Sequence, residues 1–214
     1  MLKTPDWTKG ESYLLENAPE LKLLIKRFSP CTLKVKENTT LFPTLVQGII
    51  AQQLPPETSN NIFKEIAKKV PNIEPKNVLA LSDSFFEDQG LSLQKTAYLK
   101  NFSQMIIDGK ITINKFDEMT DNEIKKQLLT VKGLGQWTIE MTLLLALCRP
   151  DIAPTADHIF AKEIKELFNL EKIPKRGQIN TLTKHWQPWR SLAVWYLWQN
   201  SDSKAQEKEK NNKN

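Results

Sequence analysis

Apolar residues recur every three or four positions along most of the chain, which is the spacing of one buried face of an α-helix. The clearest run, 41–54, ends at Pro55 and Pro56, where a helix cannot continue. A second amphipathic run begins at Pro56 and extends to about residue 70. No stretch of any length alternates apolar and polar residues as a half-buried strand would. The pattern therefore predicts an all-α fold.

Local signals mark where further helices begin and end. Ser92 is placed to cap a long helix, and Gly109 fits the position just beyond its end. Thr120 and Glu123 have the spacing of a capping box in front of a helix over 124–130. The remaining helices are predicted over two segments of 6–30 and over 77–81, 83–87, 158–168, 177–185 and 186–198.

Two glycines separate two apolar runs in the segment 131–137, Val-Lys-Gly-Leu-Gly-Gln-Trp. A helix ending near Thr130 and another beginning near Gln136 would form a tight helix–hairpin–helix, because glycine adopts backbone conformations that other residues avoid. The amides of Gly133 and Gly135 would then lie at the positive end of a helix dipole, which suits a phosphate group. A G-x-G turn between helices is also common without any ligand.

The helices are expected to form two lobes with a cleft between them, where ligands commonly bind. We predict that residues 1–200 form one functional unit, with one lobe from about 1–40 plus 150–200 and the other from about 41–149. The segment 201–214 contains a single apolar residue and is predicted to be a disordered, basic and polar tail.

The composition is that of a globular protein with a mild preference for anionic partners. The 214 residues are 40% hydrophobic and carry a formal charge of +5, which is compatible with nucleic acid but does not require it. Cys31 and Cys148 are the only cysteines, too few for a four-cysteine iron–sulfur cluster or a cysteine-based zinc site. Because no apolar run has membrane-spanning length and no signal-peptide pattern is present, we expect a cytoplasmic protein without membrane contact.

An acidic residue follows the hairpin at a spacing that points to a known family. Asp157 lies about twenty residues beyond the hairpin, and the chain also contains G-L-S-x-x-K-x-x-Y-L from Gly90 and W-x-P-W-R-S from Trp186. Together these segments resemble the helix–hairpin–helix DNA glycosylase superfamily, and most closely its AlkA-like 3-methyladenine DNA glycosylase II branch. The resemblance covers about residues 41–199. It departs at Pro55, where the family commonly has a small hydroxyl residue.

The resemblance implies a DNA N-glycosylase that flips an alkylated purine, such as 3-methyladenine or 7-methylguanine, out of damaged double-stranded DNA and excises it in base excision repair. Superfamily members that also cut the strand carry a lysine where this chain has Trp137, and that lysine forms a Schiff base with the sugar. The resemblance therefore implies a monofunctional enzyme that uses water. We expect a monomer that acts at the nucleoid of a prokaryote or in the nucleus of a eukaryote.

The family also suggests which residues contact DNA. Four hairpin residues would hold the phosphate backbone without reading its sequence: Lys132, Gly133, Leu134 and Gly135. A residue at the junction that follows the run 41–54 enters the minor groove in the family. Gln53 is favoured by position, and Leu54 is the alternative because apolar wedges are the commoner physical choice. Two solvated glutamines, Gln52 and Gln53, are the simpler interpretation of the same junction.

The proposed chemistry requires a carboxylate beside the sugar. Departure of the base leaves an oxocarbenium-like sugar, which a carboxylate can stabilise while it orients or deprotonates a water molecule. Asp157 is the candidate catalytic residue, and it could also serve as the N-cap of the following helix. Asp151 is the competing acid, interpreted as a capping residue or a partner of Arg149 because it precedes Pro154.

An aromatic pocket would attract a cationic alkylated base through its π faces. By position, Trp137, Met141 and Trp189 match pocket residues of the AlkA-like branch, although Met141 replaces an aromatic residue often found there. Core packing is the alternative for these three, and it is the preferred role of three other tryptophans: Trp186, Trp195 and Trp198.

The family hairpin often holds a monovalent cation on backbone carbonyls, which here would be those of Leu129, Val131 and Leu134. We expect no other cofactor and no iron–sulfur cluster. Two other functions stay open. One is excision of mismatched or oxidised bases, which the missing cysteine cluster and hairpin lysine disfavour. The other is a non-catalytic helix–hairpin–helix module that binds DNA and does not need Asp157.

Overall fold

The computed structural model describes residues 3–35 and 40–211. Within these ranges the regular secondary structure is helical and includes no strand, so the predicted all-α class is confirmed. None of the described helices is long and apolar enough to cross a membrane. The α-helices are α1 (Trp7–Asn17), α2 (Lys22–Phe28), α3 (Leu41–Ala51), α4 (Pro56–Lys69), α5 (Pro75–Ala80), α6 (Asp83–Asp88), α7 (Leu93–Ile107), α8 (Asp121–Leu129), α9 (Gln136–Met141), α10 (His158–Leu167), α11 (Arg176–Leu182) and α12 (Arg190–Asn211).

The described residues divide into two compact units. The middle unit comprises 40–142, and the terminal unit comprises 3–35 together with 143–211. The predicted lobes have the same interleaved order, in which the first and last segments of the chain combine. A π-helical turn, Thr142–Ala146, continues α9 across the change from one unit to the other.

In the middle unit, α3 packs against α4, α7 and α9 through the apolar face that its sequence predicts. The rings of Phe42 and Phe102 stack at 5.4 Å between α3 and α7. Gly48 allows α3 to approach α9 closely, because an added Cβ would lie only 2.5 Å from Thr138 Cγ2. The hairpin between α8 and α9 is thereby held against the central helix. The buried face of α3 is formed by Leu45, Val46, Ile49 and Ile50.

The predicted helix-end signals of the middle unit are confirmed. The Ser92 hydroxyl accepts the first-turn amide of Lys95 and caps α7. Gly109, with φ +71°, lies just past the end of that helix. Thr120 and Glu123 form the capping box of α8, in which Glu123 Oε2 accepts the Thr120 amide at 2.7 Å.

In the terminal unit, α12 packs against α1, α2 and α10. The Tyr196 hydroxyl donates to Glu11 Oε1 at 2.5 Å and ties α12 to α1. Trp186 is fully buried, stacks on Phe168 and donates its indole N–H to Glu20 at 2.7 Å. The core role predicted for this tryptophan is therefore confirmed, and Cys148 is also buried.

The C-terminal segment differs from the predicted disordered tail. α12 continues through Ser201 to Asn211, and residues 212–214 lie outside the described range. The predicted tail is wrong because this polar segment forms ion pairs with α2 and α10, which its near lack of apolar residues does not reveal. Lys204 Nζ lies 3.1 Å from Glu163 Oε2 and 2.5 Å from Glu166 Oε2, both on α10, and Arg27 Nη2 lies 2.9 Å from Glu207 Oε1.

Replacing Lys204 with methionine is expected to lower the free energy of unfolding by about 1–3 kcal/mol, because it leaves the buried Glu163 carboxylate with less compensation. Denaturant unfolding of K204M would measure this, with Lys210→Met, an exposed change on the same helix, as the control. The hydrogen bond from Lys204 lowers the pKa of Glu166 below its ordinary 4.5. That contribution of Glu166 to stability is present above pH 4.5 and is lost as the pH falls through the lowered pKa, so the difference in stability between the wild type and K204M should become smaller there. Equal stability of K204M and K210M at neutral pH would contradict this account.

Candidate functional site

The segment between α8 and α9 forms the predicted helix–hairpin–helix. α8 ends at Leu129 and α9 begins at Gln136, with Gly133 at φ +89° between them. The Leu134 amide donates to the Val131 carbonyl at 3.1 Å and closes the turn. Among the described residues, the amides of Gly133 and Gly135 donate to no protein acceptor. They are therefore available to an external anion.

Position 133 requires a glycine because of its close contacts as well as its positive φ. The Tyr98 ring of α7 covers it so closely that an added Cβ would lie 2.4 Å from Tyr98 Cδ2. An open depression of about 400 Å³ adjoins this contact and is lined by Gln52, the hairpin and Trp137. Lys132 is exposed on the hairpin, where its ammonium adds positive charge beside the two glycine amides.

The junction between α3 and α4 contacts the hairpin directly. α3 ends at Ala51, earlier than the predicted run 41–54, because Gln52 leaves the helical conformation with ψ 127° and Gln53 then adopts a left-handed backbone with φ 56°. The Gln52 side chain donates to the Gly133 carbonyl. Gln53 is exposed and Leu54 is half-buried, so Gln53 is the more accessible of the two predicted wedge residues. A left-handed non-glycine residue at an exposed turn is a common mark of a functional position.

In the terminal unit, Asp157 caps α10. Its Oδ1 accepts the Phe160 amide at 2.7 Å and the indole N–H of Trp198 at 3.2 Å, and the side chain is 8% exposed. The N-cap role that the sequence offered is thus present. The two donors approach one oxygen from α10 and α12, and they fix the orientation of the carboxylate.

The loop before Asp157 is held by the first turn of α12. Arg190 forms a two-pronged ion pair with Asp151, with Nε 2.5 Å from Oδ1 and Nη2 2.9 Å from Oδ2. The Ser191 hydroxyl accepts the Ile152 amide at 2.9 Å. Arg190 therefore has a structural role, whereas the partner suggested for Asp151 from the sequence was Arg149. Asp151 is therefore engaged in positioning the loop that leads to Asp157.

The three predicted pocket residues belong to different units. Trp137 and Met141 lie one turn apart on the same face of α9 in the middle unit, and Trp137 is 42% exposed. Trp189 belongs to the terminal unit, where its ring meets that of Trp7 edge-on at 6.2 Å and covers Gly10. Trp189 therefore has a packing role, and a shared pocket for all three stays a prediction.

Comparison with known proteins now bears on these features. The sequence model of the HhH-GPD superfamily of base excision DNA repair proteins matches residues 46–188, which include the junction, the hairpin and Asp157. The chain belongs to this superfamily. Its HhH-GPD segment begins within α3 and ends just before α12, so it draws on both units.

Several relatives of this HhH-GPD protein carry names that specify alkylated bases. It is 27% identical over 204 residues to the alkylbase DNA glycosidase-like protein mag2 of Schizosaccharomyces pombe, covering 93% of this chain and 96% of the relative. It is 28% identical to DNA-3-methyladenine glycosylase 1 of the same yeast, over 91% of this chain and 87% of the other. The solved structure of the S. pombe 3-methyladenine DNA glycosylase Mag1 with abasic DNA superposes with a TM-score of 0.80 at 26% identity, covering 91% of this chain and 97% of that one.

Sequence reasoning missed three residues of the HhH-GPD site. Trp198 was assigned to the core, although a tryptophan indole N–H generally requires a partner, and here that partner is Asp157. Tyr98 and Lys95 were noted only as part of a helix motif. The spacing of three residues between them places both on one face of α7, and that face meets the junction and the hairpin.

Proposed function

We propose that this protein is a monofunctional DNA glycosylase that flips alkylated purines out of double-stranded DNA and hydrolyses their N-glycosyl bonds in base excision repair. The observation that carries the proposal is the fixed carboxylate of Asp157, held by the α10 amide and the Trp198 indole in a chain of the HhH-GPD superfamily. Its named relatives at 27% and 28% identity support the choice of alkylated bases. Such a protein would act where the genome lies, at the nucleoid or in the nucleus.

Asp157 is the proposed catalytic residue. As the base leaves, positive charge develops on the deoxyribose. A nearby carboxylate stabilises this charged sugar more strongly than it stabilises the uncharged sugar of the bound substrate. Because two hydrogen bonds fix its orientation, the carboxylate needs little reorganisation during the reaction. It then orients or deprotonates the water that attacks the sugar.

The middle unit supplies the proposed DNA contacts. The amides of Gly133 and Gly135 and the ammonium of Lys132 would bind backbone phosphates, which positions the duplex without reading sequence. Gln53 would fill the space left by the flipped nucleotide. Trp137 and Met141 on α9 would offer an aromatic ring and a polarisable sulfur to a cationic base.

We propose that the hairpin can hold a monovalent cation. The carbonyls of Leu129, Val131 and Leu134 are hard oxygen donors near the negative end of the α8 dipole, a donor set suited to an alkali ion. When bound, the ion would supply positive charge that attracts a phosphate. The Val131 carbonyl already accepts the Leu134 amide and would use its second lone pair.

Incubation with methylated duplex DNA, followed by chromatography of the released bases, tests the proposal. We expect free 3-methyladenine and 7-methylguanine from the wild type. Binding of abasic DNA without any released base would instead identify the non-catalytic DNA-binding module. Release of mismatched or oxidised bases alone would place the enzyme in another branch of the superfamily.

Borohydride trapping tests the monofunctional mechanism. Trp137 occupies the position of the lysine that strand-cutting relatives use, and an indole cannot form a Schiff base with the sugar. We therefore expect no covalent protein–DNA band after borohydride treatment during active turnover. A trapped adduct would contradict hydrolysis by water.

A further inference from the structure

The turn that carries Gln53 needs an external restraint. A non-glycine residue at φ 56° is disfavoured by contacts of its own Cβ, so neighbouring groups must hold it in place. Gln53 is exposed, and its side chain makes no hydrogen bond to any other described residue. Within the turn, the Leu54 amide donates to the Ala51 carbonyl at 3.2 Å, and the restraints from outside the turn act on the residues beside Gln53.

Lys95 of α7 supplies one restraint. Its ammonium donates to the Ile50 carbonyl at 2.7 Å and to the Gln52 carbonyl. The last carbonyls of a helix have no intrahelical partner, and a cation is favoured at that negative end of the dipole. Partial burial lowers the pKa of Lys95, which shows that its ammonium gives up water to make these contacts.

Gln52 supplies the second restraint. Its side-chain amide donates to the Gly133 carbonyl of the hairpin, while its own carbonyl receives the Lys95 ammonium. One residue thus joins α7, the junction and the hairpin within the middle unit. Through this chain of contacts, the turn bearing Gln53 keeps a fixed position relative to the amides of Gly133 and Gly135.

We propose that Lys95 is a positioning residue for base flipping, which fixes the left-handed turn at Gln53 by binding the two carbonyls of Ile50 and Gln52. This inference rests on the proposed glycosylase function. It assigns no chemistry to Lys95 itself. The ammonium keeps Gln53 at a fixed distance from the hairpin that would bind phosphate. Binding of the DNA backbone and filling of the space left by the flipped nucleotide can then occur together.

The test compares Lys95→Met, which keeps the length of the side chain but removes its charge and donors, with Lys100→Met on the same helix. Lys100 pairs with Asp83 away from the junction, so its loss is the matched control. For K95M we expect single-turnover release of 7-methylguanine to fall by about 10-fold to 100-fold. Affinity for undamaged duplex of equal length should change by less than about twofold, because it depends on phosphate contacts.

A spectroscopic signal separates positioning from general loss of stability. In duplex DNA with 2-aminopurine beside a tetrahydrofuran abasic analogue, insertion of the wedge should raise the fluorescence with the wild type and K100M but not with K95M. Lys95→Arg should restore part of the signal. Gln53→Ala should reproduce the K95M pattern, and the K95M/Q53A double mutant should be no worse than either single mutant, since both remove the same step.

Each outcome has a distinct meaning. If the wild type releases no base, the proposed function fails. If the wild type is active and K95M matches it in excision and fluorescence, the role of Lys95 is refuted while the function stands. Parallel losses in excision, undamaged-DNA affinity and melting temperature would also refute positioning. Should K95M not fold, Gln52→Leu decides, because it removes the hairpin contact and should likewise abolish the fluorescence change.

Discussion

Replacing Asp157 with asparagine is expected to abolish base excision while leaving the fold intact. Asparagine keeps a side-chain oxygen that can accept the Phe160 amide and the Trp198 indole N–H, so the cap of α10 survives. It removes the negative charge that the oxocarbenium-like sugar requires. We expect the single-turnover excision rate to fall by about 10²–10⁴-fold, measured as free 7-methylguanine from methylated duplex. Affinity for abasic-site DNA should be retained.

Two further variants separate charge from structure. Asp157→Ala removes the cap as well as the charge, so it should lose about 0.5–2 kcal/mol of stability beyond the loss seen with D157N. Asp151→Asn removes the competing acid, which pairs with Arg190 and positions the loop before Asp157, so it should lower excision far less than D157N does. Full excision by D157N, or its loss only in D151N, would overturn the catalytic assignment.

Much of the fold follows from short-range signals in the sequence. The apolar face of α3, the capping box at Thr120 and the glycine after α7 each act within a few residues, and the structure contains all of them. The same holds for the hairpin, because Gly133 at positive φ is a local requirement. These features depend on backbone geometry that the sequence encodes directly.

The remaining features depend on partners that are distant in sequence. α12 extends to Asn211 because Lys204 meets α10, a contact that composition alone cannot indicate. The bond from Trp198 to Asp157 joins residues 41 positions apart, and that from Lys95 to Ile50 joins residues 45 apart. Periodicity assigns such residues to a face of a helix, but only tertiary packing decides which polar atom they reach.

Replacing Gly133 with alanine is expected to remove most DNA binding. The left-handed backbone would cost alanine about 1–2 kcal/mol, and the clash with the Tyr98 ring would add about 1–3 kcal/mol. The hairpin must shift to relieve both, which moves the amides of Gly133 and Gly135 and breaks the contact from Gln52. We expect affinity for abasic-site duplex to fall by about tenfold or more, measured by fluorescence anisotropy below the melting temperature of the variant.

Two other glycines, one of them in the same hairpin, provide the controls for the Gly133 result. Gly109 has φ +71° and open space around it, so Gly109→Ala carries the backbone cost alone and should bind DNA normally. Gly135 has φ −83° and also meets nothing within 4 Å, so Gly135→Ala should keep the melting temperature close to wild type. Because alanine fits at position 135 without moving the hairpin amides, G135A should bind DNA nearly as tightly as the wild type. If G133A bound DNA as tightly as G109A, the hairpin would not be the element that binds the DNA phosphates.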